Sequence, residues 1–153
     1  MERIEFISKS PSDTWDIGEH IGRHACRGER YALYGDLGAG KTQLVKGIAR
    51  GLGVPDWQYV VSPSFTLMNV YEGAPTLCHV DLYRIDGPEA EALDMENYLE
   101  TGIVVVEWAE RTTWPEGTIR IYIDTTGEED RIISVEVEDA SRAEVWRNFG
   151  ERH

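Results

Sequence analysis

Eight consecutive residues, Gly35-Asp36-Leu37-Gly38-Ala39-Gly40-Lys41-Thr42, fit the spacing G-x-x-x-x-G-K-[ST]. That combination suits one kind of chemistry. Glycines let successive backbone N–H groups turn inward around an anion, and the N-terminus of a following helix adds partial positive charge. A lysine at the seventh place can reach the outer phosphates of a nucleoside triphosphate as a compact point charge. A hydroxyl at the eighth can ligate Mg²⁺. Lys41 and Thr42 hold those two places, and residues 35–42 form the candidate nucleotide cradle. Asp36 sits badly beside phosphates, and the spacing leaves it pointing to solvent. The plain alternative is a glycine-rich turn ahead of an ordinary helix.

Such a site also needs an acid for the metal. Glu107 closes the apolar run "GIVVVE", and ligands of open α/β sheets sit at the carboxyl ends of buried strands. Asp81, in "HVDLYR", is the second candidate. It could hold Mg²⁺ through water or position the attacking water. The bland readings are a strand-end acid facing water for Glu107 and a salt bridge to Arg84 for Asp81.

The surrounding sequence supplies the elements that must hold these residues. "RIEFIS" alternates like a strand, and "PSDTWDIGEHIGRHA" follows as a helix with Ser12 or Asp13 as its N-cap. "RYALYG" is a short buried strand running straight into the glycine loop. From Lys41 a helix is expected, with Leu44, Val45, Ile48, Ala49 and Leu52 on one face and Gly51 or Gly53 at its end. Two β-rich runs flank "EGAP" as a hairpin. "GPEAEALDMENYLE" reads as a helix, "GIVVVEWAE" as a central buried strand, "TIRIYIDTTGEEDRIISVEVED" as a second hairpin and "SRAEVWRNFG" as a last helix. The expected fold is α/β. It is a P-loop NTPase-like three-layer sandwich, with helices on both faces of a mixed parallel and antiparallel sheet, as one domain over residues 1–153.

The chain of 153 residues carries a formal net charge of -13, which repels phosphate backbones at long range. Direct, tight nucleic-acid binding is therefore not expected, and service in an RNA pathway would run through protein partners. No apolar run reaches the about 20 residues that span a bilayer, and "MERIEFISKSPSD" has no signal-peptide core. The expected location is cytoplasmic, with no membrane association. Cys26 and Cys78 lack C-x-x-C spacing and read as small buried hydrophobes, and the four histidines do not cluster with them.

Among proteins with such a loop, a small GTPase needs N-K-x-D for guanine. Asn69 and Asn97, the only asparagines ahead of the last helix, do not begin it. A small-molecule kinase usually carries an arginine-rich lid, and no such insert precedes the strand at Val104. A minimal ATPase acting on a partner fits best. A small-molecule kinase and a nucleotide-gated binding module with negligible turnover stay open as alternatives.

Four ordered strings, "GDLGAGKT", "SPSFTL" with Tyr71 following, "HVDLYR" and "VEW", together resemble the bacterial TsaE (YjeE) family of tRNA-modification ATPases, over roughly Thr14 to Trp108. The resemblance implies ATP and Mg²⁺ as cofactors and slow hydrolysis alone. It implies TsaB and TsaD as partners in placing the threonylcarbamoyl group on adenosine 37 of tRNA, with the ATPase resetting the complex. It assigns Leu37 to Thr42 to phosphate, Thr42 and Glu107 to Mg²⁺, and Asp81 to the family's essential aspartate. Trp108 falls near the nucleotide or a partner surface. Ser62 to Thr66 resembles a switch-like loop over the γ-phosphate. There Ser64 stands where the family usually has threonine, keeping the hydroxyl but loosening its rotamer. His79, Tyr83 and Arg84 match as structural support, and Thr14 and Arg131 are assigned to flank the base. The acidic surface would suit a basic cleft on TsaD, in competition with tRNA.

Overall fold

The computed structural model describes residues 1–36, 38–63, 66–85, 87–91 and 93–149. Leu37 and Ser64, both assigned above to the nucleotide, lie outside them. One seven-stranded sheet organises the chain in the order β1-β7-β6-β2-β5-β4-β3. Its strands are β1 (Glu2–Ser8), β2 (Arg30–Tyr34), β3 (Met68–Tyr71), β4 (Thr76–Asp81), β5 (Gly102–Glu107), β6 (Ile119–Thr125) and β7 (Arg131–Val137). The centre, β6-β2-β5-β4, is parallel, while β1, β7 and β3 pair antiparallel. Both expected hairpins form, and the sheet is mixed as the strand patterns required.

Helices α1 (Pro11–Arg23), α2 (Lys41–Gly51) and α4 (Ala140–Arg147) cover one face. On the other, α3 (Gly87–Glu91) and a single 3-10 turn at Met95–Tyr98 cover β4 and β5. Alternation along the strands feeds both layers. Leu77, Ile103 and Val105 enter the core with Ile17, Leu44 and Ile48, while Cys78, Val80, Val104 and Val106 enter the other with Ala90 and Met95. Each such fully buried aliphatic side chain contributes about 1.5–3 kcal/mol.

Three local expectations change. Helix α1 starts earlier than expected: Pro11 takes the first turn, and the N-cap is Ser10, whose Oγ accepts from the Asp13 N–H at 3.1 Å. Neither Ser12 nor Asp13 caps it, because proline preorganises the first helical position and so places the cap at the residue before it, Ser10. The helix expected over 87–100 is instead the short α3 and the 3-10 turn. Cys78 is buried as expected, but Cys26 is exposed in the loop after α1.

Helices α1 and α2 touch through glycine. A Cβ on Gly18 would lie 2.5 Å from the Leu44 carbonyl oxygen, and one on Gly47 would lie 2.4 Å from that of Trp15. Arg50 of α2 ties the pair at its rim, 2.7 Å from Asp16 and 2.8 Å from Glu19. No described helix is long and apolar enough to cross a membrane.

Candidate nucleotide site

Strand β2 ends at Tyr34 and the glycine loop begins at once. Gly38 and Gly40 adopt φ of +83° and +101°, a region that L side chains enter only under strain. Gly40 is the N-cap of α2 and offers no side chain to its free N–H groups; the first turn of α2 holds no acid. Helices α1 and α4 differ, with Ser10 and Asp139 as side-chain caps. The N-terminus of α2 is thus left open to an anion, where unpaired N–H groups and the helix dipole act together.

Asp81 and Glu107 are register partners at the carboxyl ends of β4 and β5, and Leu33 of β2 pairs with Glu107 from the other side. Strand alternation turns both acids toward the α2 face, since Leu77 and Ile103 of the same parity pack there. Asp81 is 2% exposed and Glu107 3%. The Thr42 hydroxyl donates to the Glu107 carboxylate, 3.2 and 3.1 Å from its two oxygens. Asp81 Oδ2 accepts a hydrogen bond from Ser62 Oγ, and its Oδ1 accepts from the Tyr83 N–H at 2.8 Å.

Lys41 is 5% exposed. Its Nζ donates to the Gly35 carbonyl and lies 3.5 Å from the centroid of the Trp108 ring. Burial lowers its pKa from the usual lysine range, and the carboxylates of Glu110, Glu107, Asp81 and Asp36 oppose that shift. Trp108, half-buried at φ 58°, packs in turn on Tyr83, with ring centroids 4.8 Å apart. A cavity of about 440 Å³ collects Gly40, Lys41, Thr42, Asp81, Glu107 and Trp108 on its walls.

A second cavity, about 220 Å³, adjoins through Ala39, Gly40 and Gln43 and is lined by Thr14, Glu128 and Arg131. Thr14 is buried, its Oγ1 2.7 Å from Ser8 Oγ. Arg131 braces the loop itself. Its Nε donates to the Ala39 carbonyl at 2.9 Å and its terminal nitrogens to carbonyls of Gly38, Gly127 and Asp130. Asp36 is exposed, and its carbonyl accepts from the Ala39 N–H at 3.0 Å. A third cavity, about 210 Å³ and lined by Arg30, Leu93, Met95 and Trp114, lies on the α3 side, away from all of these groups.

Thr42, Asp81 and Glu107 present a hydroxyl and carboxylate oxygens, the set a hard cation prefers. Among the described residues, no cluster of three or more His, Cys, Asp or Glu could hold an ion alone. Mg²⁺ needs none, since it is ordinarily held by one or two protein oxygens, phosphate oxygens and water.

The family model for the threonylcarbamoyl adenosine biosynthesis protein TsaE matches residues 8–133. The chain belongs to the TsaE family. Its relatives include proteins named tRNA threonylcarbamoyladenosine biosynthesis protein TsaE. That of Nostoc sp. strain PCC 7120 is 41% identical over 122 residues, 76% of this chain and 74% of its own. That of Treponema pallidum is 40% identical over 134 residues, 84% of this chain and 97% of its own. The crystal structure of YdiB from Bacillus subtilis superimposes with a TM-score of 0.76 at 27% identity, covering 99% of this chain and 96% of that one.

Within this TsaE sheet, two contacts escaped the sequence reading. Ser62 reaches Asp81 across 19 residues, and no spacing rule announces it. His79 bonds Glu107 at 2.6 Å between Nε2 and Oε2. That contact had a signal: His79 and Asp81 are two apart on one strand, hence on one face.

Proposed function

We propose that this chain is an ATPase subunit for forming the N6-threonylcarbamoyl group on adenosine 37 of tRNA. It binds and hydrolyses ATP with Mg²⁺ and thereby resets or regulates a TsaB–TsaD complex in the cytoplasm. The observation that carries the reading is the convergence of Lys41, Thr42, Asp81 and Glu107 on the uncapped N-terminus of α2. The names borne by the relatives supply the pathway.

In this reading the backbone of the glycine loop cradles the phosphates and the Lys41 ammonium turns to the outer ones. Thr42 and Glu107 offer the oxygens for Mg²⁺. A divalent cation held there would supply positive charge against the phosphate oxygens. Asp81 orients the attacking water from the neighbouring strand end, and Ser62, bonded to it, links that acid to the segment above the site. The cavity beside Thr14 and Arg131 takes the base. The charge of -13 favours docking on a basic protein surface over direct, tight tRNA binding.

Single-turnover ATP hydrolysis with and without the TsaB–TsaD pair tests the reading. Stimulation by the pair is expected. Equal rates in both arms would sink the partner-driven ATPase, and transfer of phosphate to an acceptor other than water would make the protein a kinase.

A further inference from the structure

Strand β4 is buried from Leu77 to Asp81, and His79 is a polar residue within that run, 0% exposed. One ring nitrogen, Nε2, meets Glu107 Oε2 at 2.6 Å. The other, Nδ1, is buried with no hydrogen-bond partner among the described residues. Among the described residues only Nε2 has an acceptor to donate to. With a carboxylate oxygen as its partner, Nε2 is the donor of this bond, and the ring's apolar edges pack in the sheet.

Geometry gives this bond a purpose. Glu107 ends β5 on a side chain with three rotatable bonds, and its carboxylate must stay beside Thr42 to serve a metal. The imidazole turns on two torsions only and is enclosed by protein, so it is the stiffer partner. A donor fixed on Oε2 sets the carboxylate plane and holds both oxygens beside the Thr42 hydroxyl, 3.2 and 3.1 Å away. The arrangement has the form of an outer-shell group that orients a metal ligand. Packing alone does not explain it, because an apolar side chain would fill the site without stranding a buried nitrogen.

We propose that His79 is a positioning residue: by donating Nε2–H to Glu107 it presets that carboxylate for the divalent cation that accompanies the nucleotide. The proposal rests on the ATP-site reading above. It concerns the metal requirement of binding, separately from turnover.

His79→Gln and His79→Met give the test. The two side chains are close in length, and only glutamine can donate. Nucleotide binding to the full-length protein is measured with ADP at fixed pH across a Mg²⁺ titration and in EDTA, alongside thermal melts. In EDTA all three proteins should bind ADP within about twofold of one another. The Mg²⁺ concentration at half-effect should rise about 10- to 100-fold in the Met variant. The Gln variant should recover most of that loss. A Met variant with the wild-type Mg²⁺ midpoint overturns the proposal, as does an equal rise in Met and Gln. If neither Met nor Leu at this position yields a folded protein while Gln does, His79 is a folding residue and the proposal falls. Wild-type protein that binds no ADP at any Mg²⁺ concentration brings down the ATP-site reading itself, a failure distinct from the others.

Discussion

The Lys41 ammonium rests on the Trp108 ring, 3.5 Å from its centroid, while donating to the Gly35 carbonyl at the mouth of the glycine loop. An ammonium turned to a phosphate must leave that face. Such a cation–π contact contributes about 0.5–2 kcal/mol, so a phosphate partner can displace it. The environment of Trp108 then changes on nucleotide binding. The chain has five tryptophans, so emission of wild type minus Trp108→Phe isolates the one concerned. A nucleotide-dependent change in that difference spectrum is expected, and its absence would show that Lys41 does not move.

Lys41→Ala removes a charge-assisted hydrogen bond of about 1.5–3 kcal/mol. That corresponds to nucleotide affinity about 10- to 100-fold weaker by calorimetry, with the fold intact. The pH dependence has a definite sign. Burial places the Lys41 pKa below its ordinary 10.5, and phosphate binds the charged form. Affinity should hold at neutral pH and fall as pH rises through that depressed value, earlier than for a free lysine. In Lys41→Ala this alkaline decline should vanish.

Asp81→Asn keeps the shape of the side chain and one oxygen for Ser62 or the Tyr83 N–H. It removes the charge proposed to orient the attacking water. Nucleotide affinity should stay within a few-fold of wild type, while partner-stimulated turnover drops about 10²- to 10⁴-fold. Parallel losses in binding and turnover would instead make Asp81 a ligand for the nucleotide complex.

The two thiols should separate cleanly by reagent. Burial pushes the Cys78 thiol up to about 12, and Cys26 is exposed. The reactive species is the thiolate, so Cys78 is protonated and inert at pH 8. Native protein should take up one equivalent of a maleimide, at Cys26 by peptide mass, and a second after unfolding. The sign for stability follows. The unfolded thiol ionises near 9, so the benefit of a neutral buried Cys78 is complete below that pH. It is lost as pH climbs toward 12.

What was legible in the sequence follows physical range. Strand β2, the glycine loop and α2 are contiguous, so spacing alone placed Lys41 and Thr42. Glu107 followed from an apolar run that only a doubly covered strand tolerates. Its pairing with Asp81 needed the register of β4 on β5, which no local pattern states. The hydrogen bonds of Ser62 and His79 lie 19 and 28 residues apart in sequence and depend on that register. The helix expected over 87–100 was over-extended because its composition is helical. In the fold, Met95 enters the α3-side core from a 3-10 turn.

No local signal marked the packing of α1 on α2 through their glycines, yet that contact sets where α2 sits. Gly18 and Gly22 on one helix face Gly47 and Gly51 on the other, each spaced by four. A Cβ on Gly47 would meet the Trp15 carbonyl oxygen at 2.4 Å and the Gly18 Cα at 2.9 Å. These are backbone atoms, which cannot swing aside. In a free helix Gly→Ala stabilises by about 1 kcal/mol, whereas forced overpacking costs about 1–3 kcal/mol or more. The steric term wins at this spacing, so Gly47→Ala should lower Tm, at about 2–4 °C per kcal/mol for a chain of this size. Helix α2 also carries Lys41 and Thr42, so prying it from α1 moves the phosphate-binding end. A folded Gly47→Ala protein should bind nucleotide more weakly, although residue 47 is more than a turn from the loop. A Gly47→Ala protein that melts at or above the wild-type temperature would refute the close contact of the two helices.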